Sequence, residues 1–435
     1  MNVFDEAGQM RGQITGSREP GSVRFDVPRR AGLAIRRFPA ALRGDMGSMP
    51  PRPGAQAKER GLESTRPEVV LAGTNPVLLW GMSIDERVRR LAKANGLALG
   101  RDRDGDGAAL LVNRHYVFDP AWLRTLAARP GDTLTLGGKV AIAHCRNAAE
   151  RAEATAAIEA DRPLPAGSRL AELAHEQGYA QVNAELRKRE QPFLLRLEPG
   201  TVRAAERASY FGAYKGVTDL LTKYLWPEWA LVLTRIAARL GISPNAVTAL
   251  GALLCVAATI LFWYGHYWTG MLAGLVFMVL DTVDGKLARC TITSSKWGNI
   301  FDHGIDLIHP PFWWYAWGVG LAAYGRPLAP DAFQSVMIAI IGGYAVQRLI
   351  EGIFMRRFGM HIHVWERIDS RFRLITARRN PNMVILFVAM LVARPDLGLI
   401  GIAWWTLASC LFHLVRLIQA FAGQARGREV RSWLG

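Results

Sequence analysis

Cysteine and acidic residues are both scarce in this chain of 435 residues. Cysteine occurs only at Cys145, Cys255, Cys290 and Cys410. None of the four forms a CxxC pair, and three lie in or beside apolar runs. That argues against a disulfide framework and a zinc site, and for small, reduced core residues. Asp and Glu number 37 against 53 Lys and Arg, a formal net charge of +16. Such a balance suits nucleic acid, an anionic membrane surface or a phosphorylated substrate. There is no basic stripe interleaved with aromatics, no zinc-finger spacing and no RNP-like motif, so no nucleic-acid partner is expected. Charges come early at the N-terminus without an apolar h-region, so no signal peptide is expected.

Long hydrophobic runs are abundant, but only in the second half. Residues 1–66 are rich in Arg, Gly and Pro and read as a disordered basic tail, able to touch anionic lipid. Residues 67–202 have the pattern of a soluble α/β domain. EVVLAG (68–73) and GAALLVN (107–113) are strand candidates. SIDERVRRLAKANG (83–96) carries helix start and stop signals, and DPAWLRTLAAR (119–129) has Pro in its first turn. TLTLGGKVAIAHC (133–145) reads as a hairpin turning at Gly137-Gly138, and the charged stretch 146–187 as helix. RDRDGDG (101–107) has the start of an EF-hand loop, but Asn113 stands at the twelfth position and no helix pair frames it, so it reads as a solvated turn. Residues 203–243 form an amphipathic juxtamembrane helix with aromatics and bases suited to an interface.

A helix needs roughly 20 apolar residues to cross a bilayer. Six candidates follow: Ala246–Tyr264, His266–Val283, Phe301–Ala323, Ala332–Ile353, Met383–Val392 extended through Arg394, and Leu397–Gln419. The fifth is short and the third contains polar residues. RRFGMHIHVWERIDSRFRLITARRN (356–380) and the tail 425–435 are strongly basic, and the opposite loops carry almost no bases. Six spans put every basic loop on one side, the cytoplasm. The expected fold class is therefore an α-helical integral membrane protein of six transmembrane helices (244–424) with an N-terminal soluble α/β domain. The expected location is the cell inner membrane, with the N-terminal domain cytoplasmic.

Four carboxylates stand where a span meets the cytoplasm: Asp281, Asp284, Asp302 and Asp306, within DTVDGKLARCTITSSKWGNIFDHGID. Asp281 and Asp284 share a helical face, as do Asp302 and Asp306. An ionised Asp in a bilayer costs about 2.5–3.5 kcal/mol at the centre and less near the interface. Arg289 is one base against four acids on these helices. Oxygen-only ligands select hard divalent cations such as Mg²⁺ or Mn²⁺. Gly285, Ala288 and Gly298 are small enough to let a ligand or backbone come close. A proton or cation pathway also explains buried acids, but not Gly285, Ala288, Arg289 and Gly298.

These eight positions fit the DxxDGxxARx8GxxxDxxxD signature without exception, and the chain from about Lys215 onward resembles the CDP-alcohol phosphotransferase family. ISPNAVT (242–248) is similar to the family's approach to its first span. FDHGID resembles the form in choline and ethanolamine phosphotransferases, with Ile305 where those usually have Cys. The resemblance implies that Asp281, Asp284 and Asp302 hold metal, with Asp306 beside them as general base. It implies that Gly285, Ala288 and Gly298 let the nucleotide lie against the helices, with Arg289 near phosphate and Asn245 and Thr248 near the nucleotide. A CDP-alcohol donor, a hydroxyl acceptor, membrane lipid and a homodimer are implied as partners. FDHGID points to a choline-like site and the fused soluble domain to the inositol phosphate branch, so the acceptor stays open. The soluble domain itself resembles a degenerate nucleotidyltransferase. LAGTNPVLLWGM lacks the Gly-rich phosphate loop, and His115 stands where a metal-binding Asp is usual, which implies a scaffolding or regulatory role.

Around these positions, His303 and His309 read as packing residues, and HPPFWWYAWG (309–318) as a stretch that bends or widens the third span. His361, His363, Arg356, Arg357, Arg367, Arg371 and Arg373 read equally as an anion site or as topological bias alone.

Overall fold

The computed structural model describes residues 67–100 and 107–435, apart from a few side chains near residue 300. All of them fall within one compact unit, 59–435. The basic tail and most of RDRDGDG lie outside the described residues.

The first part of the chain is built on a five-stranded sheet of order β1-β2-β5-β4-β6: β1 Glu68–Ala72, β2 Ala109–Asn113, β4 Asp132–Leu136, β5 Lys139–Cys145 and β6 Ala171–Ala174. Its central strand, β5, runs antiparallel to both neighbours, whereas β1 pairs parallel with β2 and β4 with β6. A doubly wound nucleotide-binding sheet is parallel through its centre. The strand order therefore lends no support to the nucleotidyltransferase resemblance. Helix α1 (Ile84–Ala94) begins where the Ser83 hydroxyl accepts from the Glu86 N–H, and α2 (Pro120–Ala127) where Asp119 caps Ala121.

The helix expected over 146–187 is corrected. Only α3 (Ala148–Glu159) forms. The following DRPLPAG removes backbone donors and stops it. Beyond lie β6, a two-stranded ribbon of β7 (Gln181–Asn183) and β8 (Lys188–Glu190), and β9 (Leu194–Arg196), which pairs with β3 (Tyr116–Phe118).

The single amphipathic helix expected over 203–243 is also corrected. Helix α4 (Val202–Gly212) ends before Lys215-Gly216, one π-helical turn covers Leu221–Leu225, and α5 (Pro227–Arg239) starts afresh at its proline. Trp229, Val232, Leu233, Ile236 and Leu240 stay exposed on α5, which keeps the apolar face an interfacial helix needs.

The second part consists of helices α6 (Pro244–Trp263), α7 (Tyr267–Cys290), α8 (Lys296–Ala323), α9 (Pro330–Met337) continuing through a π-turn (Ile338–Gly342) into α10 (Gly343–Phe358), α11 (Arg367–Phe372), α12 (Arg379–Leu391) and α13 (Pro395–Ala425). Three described stretches are long and apolar enough to cross a membrane: Pro244–Trp263, Pro330–Phe358 and Pro395–Ala425. Helices α7 and α8 are long, at 24 and 28 residues, but the acid-bearing end of each is polar. Helix α12 is apolar but has 13 residues, about 20 Å at 1.5 Å per residue. The outward face of α6 carries exposed Leu250, Leu253, Val256 and Ile260, the reverse of a soluble helix.

Close helix contacts rest on glycine. A Cβ on Gly320 would sit 1.9 Å from the Phe262 carbonyl oxygen. Pro310 and Pro311 lie inside α8 without ending it. Pro311 cannot donate to the Leu307 carbonyl, and the Tyr344 hydroxyl donates to it instead, at 2.9 Å. The carbonyl that Pro311 leaves without a donor is thus bridged from α10.

The sheet part and the helical part share one hydrophobic core. Arg87 and Arg90 of α1 donate to the Cys290 and Thr291 carbonyls, at 2.9 and 2.8 Å. These are unsatisfied C-terminal carbonyls of α7, where cations are favoured. Trp80 Nε1 donates to Ser209 Oγ of α4 at 2.7 Å. The sheet part is therefore fastened to the same end of α7 that carries the acids.

Candidate active site

A chamber of about 480 Å³ opens at that end. Helix α7 contributes Asp281, Thr282, Lys286 and Arg289, one side of a helix at spacings of one, four and three. Asp306 and Pro310 come from α8, Tyr344, Arg348 and Glu351 from α10, and Arg378, Arg379 and Asn380 from the start of α12. The loop between α10 and α12 adds His361, His363 and Arg373, and the segment between α4 and α5 adds Lys215, Asp219 and Thr222. Arg187, from the β7–β8 turn, also lines the chamber.

Asp281 and Asp306 are brought together by Arg379, whose Nη2 donates to Asp281 and Nη1 to Asp306, each at 2.7 Å. The Asp306 side chain is 46% exposed and that of Asp281 17%. Asp306 is thus the more open carboxylate of the pair.

Asp284 is buried and does not line the chamber. Its Oδ2 accepts from Thr248 Oγ1 and its Oδ1 from the Gly285 N–H, both at 2.5 Å. Thr248 therefore meets an acid of the signature. A Cβ on Gly285 would lie 3.0 Å from Arg289 Nη2, and one on Gly298 would lie 3.1 Å from Asn245 Oδ1. Both glycines are therefore spaces kept beside polar groups. Ala288 is half-buried, and its carbonyl accepts from the Thr293 N–H. Asp302 lies on α8, and its side chain, with that of His303, is outside the described residues. His309 donates or accepts within its own helix, Nδ1 lying 2.7 Å from the Ile305 carbonyl.

The expectation that Arg289 is the one base against the acids on these helices is corrected. Lys286 is buried beside it, donating to the Ala213 carbonyl at 2.9 Å and lying 3.5 Å from the Tyr214 ring centre. Arg379, ninety-eight positions beyond Asp281, is the cation between the two acids. Sequence reasoning passed over it because ARRNPN reads as one more basic loop; its signal is a base two residues ahead of Pro381, in the first turn of a helix. Among the described side chains no group of three metal-ligating residues gathers. The donor set still fits a hard cation. Asp281 and Asp306 offer oxygen only, and they already share one positive group.

Much of the rest of the lining is basic. Glu351 accepts from Arg378 at 2.6 Å and from Arg348 at 2.8 Å, with His363 Nε2 at 3.3 Å. Burial holds the His363 imidazole well below its ordinary pKa, and Glu351 only partly offsets this. Burial and the neighbouring Arg378 push the Arg373 guanidinium down to about 9. Asp219 is buried, which raises its pKa, but Arg373 together with hydrogen bonds from Thr222 and Asn380 brings it below the usual carboxylate range. Of the loop bases singled out earlier, His361, His363 and Arg373 line the chamber. Arg356, Arg357, Arg367 and Arg371 are not among its lining residues, and Arg367 packs over the Trp433 ring instead.

Residues 241–376 match the family model for CDP-alcohol phosphatidyltransferase, so this stretch, with all eight signature positions, is a CDP-alcohol phosphatidyltransferase domain. Among curated proteins, cholinephosphotransferase 1 of Gallus gallus is 34% identical over 127 residues, covering 27% of this chain and 36% of the relative. The phosphatidylinositol phosphate synthase of Streptomyces avermitilis is 34% identical over 93 residues, covering 20% and 38%. The chain thus spans little more than a third of these relatives' length. A crystal structure of Mycobacterium tuberculosis phosphatidylinositol phosphate synthase with CDP-DAG bound is 17% identical, covering 43% of this chain and 92% of that one at a TM-score of 0.33. Arg187, Arg378 and Arg379 lie outside the matched stretch.

Proposed function

We propose that the chain is a membrane enzyme that moves a substituted phosphoryl group from a CDP-alcohol to a hydroxyl acceptor and releases CMP. The observation that carries this reading is the meeting of Asp281 and Asp306, from two helices of the matched domain, at one chamber whose remaining lining is largely basic. Six helices span the membrane in this reading: α6, α7, α8, α9–α10, α12 and α13. The basic loops, the chamber and the sheet domain lie on the cytoplasmic side of the inner membrane. A homodimer follows from the family resemblance.

Asp281, Asp284, Asp302 and Asp306 are the residues that would hold Mg²⁺ or Mn²⁺, and that ion would neutralise charge on the donor diphosphate. Asp306, the open carboxylate, takes the proton from the acceptor hydroxyl. The acceptor oxygen bonds to the β-phosphorus. The bond from that phosphorus to the bridging oxygen breaks, and the oxygen leaves with CMP. Arg379 holds the Asp281 and Asp306 side chains together until substrate arrives. Gly285, Ala288 and Gly298 leave room for the nucleotide near Asn245 and Thr248, and Arg289 faces the phosphates.

The test is CMP release by the purified protein in detergent, with Mg²⁺ or Mn²⁺ and a panel of CDP-alcohols and acceptors. Release with one donor–acceptor pair, lost on chelation, is the expected result. No release from any pair, alongside metal-dependent ion flux in vesicles, would move the acid cluster to a transport role.

A further inference from the structure

The β7–β8 ribbon pairs Gln181 with Glu190 and Asn183 with Lys188, apart from the main sheet. Its turn is closed by the Leu186 N–H donating to Asn183 Oδ1 at 2.9 Å. Arg187 at the tip has φ 52°, a left-handed conformation that a non-glycine residue rarely adopts. The surroundings enforce it. The Gly216 N–H donates to the Leu186 carbonyl at 2.8 Å, and a Cβ on Gly216 would lie 2.7 Å from the Arg187 carbonyl oxygen and 2.6 Å from Lys188 Cβ. Lys188 is buried and its ammonium donates to the Gly212 carbonyl, at 2.6 Å, at the end of α4. A backbone bond, a close approach open only to glycine and a buried cap all pin one strained residue, and that residue enters the chamber. Strain so over-determined marks a working position.

The tip joins an excess of positive charge. Arg187, Lys215, Arg348, Arg373 and Arg378 line this wall with two acids, Asp219 and Glu351. Burial and the nearby Arg378 push the Arg187 guanidinium down to about 10. Arg373 is only 8% exposed, and its Nε and Nη1 have no hydrogen-bond partner among the described residues, nor does Arg187 Nε. Buried donors of like charge without acceptors call for an anion with several oxygens, which planar guanidinium groups grip well.

We propose that the β7–β8 ribbon is a fixed wall of the transfer chamber and that Arg187, with Arg373 behind it, holds a phosphate group of a substrate. That phosphate belongs either to the acceptor or to the donor diphosphate, and its catalytic meaning rests on the transferase reading above. The soluble part is then a component of the site.

Inorganic phosphate is titrated into the full-length protein in detergent at low salt, by calorimetry. The wild type binds it. R187Q and R187M, which keep the stem, each weaken binding about tenfold or more. R357Q, outside the chamber, leaves it unchanged. No phosphate binding by the wild type, or equal binding by a folded Arg187 variant, overturns the inference. Steady-state CMP release then separates the sources: the substrate whose KM rises about tenfold in R187Q is the one held, and no rise in either KM overturns the substrate role. Phosphate binding that depends on Arg187, in a protein that releases no CMP from any pair, would sink the transferase reading while the phosphate site stands.

Discussion

Carboxylates and arginines meet at two ends of the same chamber, in opposite proportion. At one end Asp281 and Asp306 share a single guanidinium, Arg379. At the other the single carboxylate of Glu351 is shared by Arg348 and Arg378, beside His363. The carboxylates at both ends are paired, yet one end is left short of positive charge and the other short of negative. An acid-rich end takes a cation, and a base-rich end takes an anion. A diphosphate with its metal ion needs both within one small volume.

The largest effect is expected at the acid end. Asp306→Asn removes the proton acceptor but keeps its shape, and CMP release should fall about 10²–10⁴-fold while the unfolding temperature stays within a few degrees. Full activity in this variant would remove Asp306 from the chemistry. Arg379→Gln comes next. Two carboxylates lose their shared cation, and breaking such a buried pairing costs about 3–5 kcal/mol. Thermal unfolding should show the loss, and added Mg²⁺ should restore the variant more than it raises the wild type. If Mg²⁺ has no effect on either protein, the acid end is not a cation site.

The base end should respond in the other sense. Glu351→Gln removes its carboxylate charge, so phosphate should bind a few-fold more tightly while stability falls. Weaker phosphate binding would contradict the charge argument.

A pH dependence follows from His363, faced by Glu351, Arg378, Arg373 and the His413 ring at 5.3 Å. Its pKa is lowered in the folded state. As pH falls below about 6.5 the unfolded chain takes up the proton first, and stability declines at up to about 1.4 kcal/mol per pH unit. His363→Gln should flatten that decline, and an unchanged pH profile would show that the imidazole is not the group responsible. The smallest effect is expected for Arg367→Ala, a base of the same loop that packs on Trp433 rather than lining the chamber. Phosphate binding and CMP release should stay level, with stability changed by less than about 1 kcal/mol.

The acid end was largely legible in the sequence. Asp281, Asp284, Asp302 and Asp306 stand at helical spacings next to apolar runs, and periodicity is a local property that a string of residues displays. The strand candidates 68–73 and 107–113 and the capped helix 83–96 were legible for the same reason. The stretch 146–187 misled because its charges matched a helix while its proline-rich centre broke one, and the strands that follow are short. The base end was not legible. Arg187, Arg348, Arg373 and Arg378 are spread over nearly two hundred positions, and nothing local marks which of 53 basic residues will face one another.

The order of amino acids therefore determined the elements, the placement of the acids at a helix end and the glycines that leave space beside them, because each depends on neighbours within a few turns. Only the tertiary structure decided that Arg379 closes the acid pair, that Glu351 is outnumbered, and that the β7–β8 ribbon places Arg187 in a chamber among membrane-type helices. Those are balances of charge between distant segments. Their energies arise from burial and proximity, and neither exists until the chain has packed.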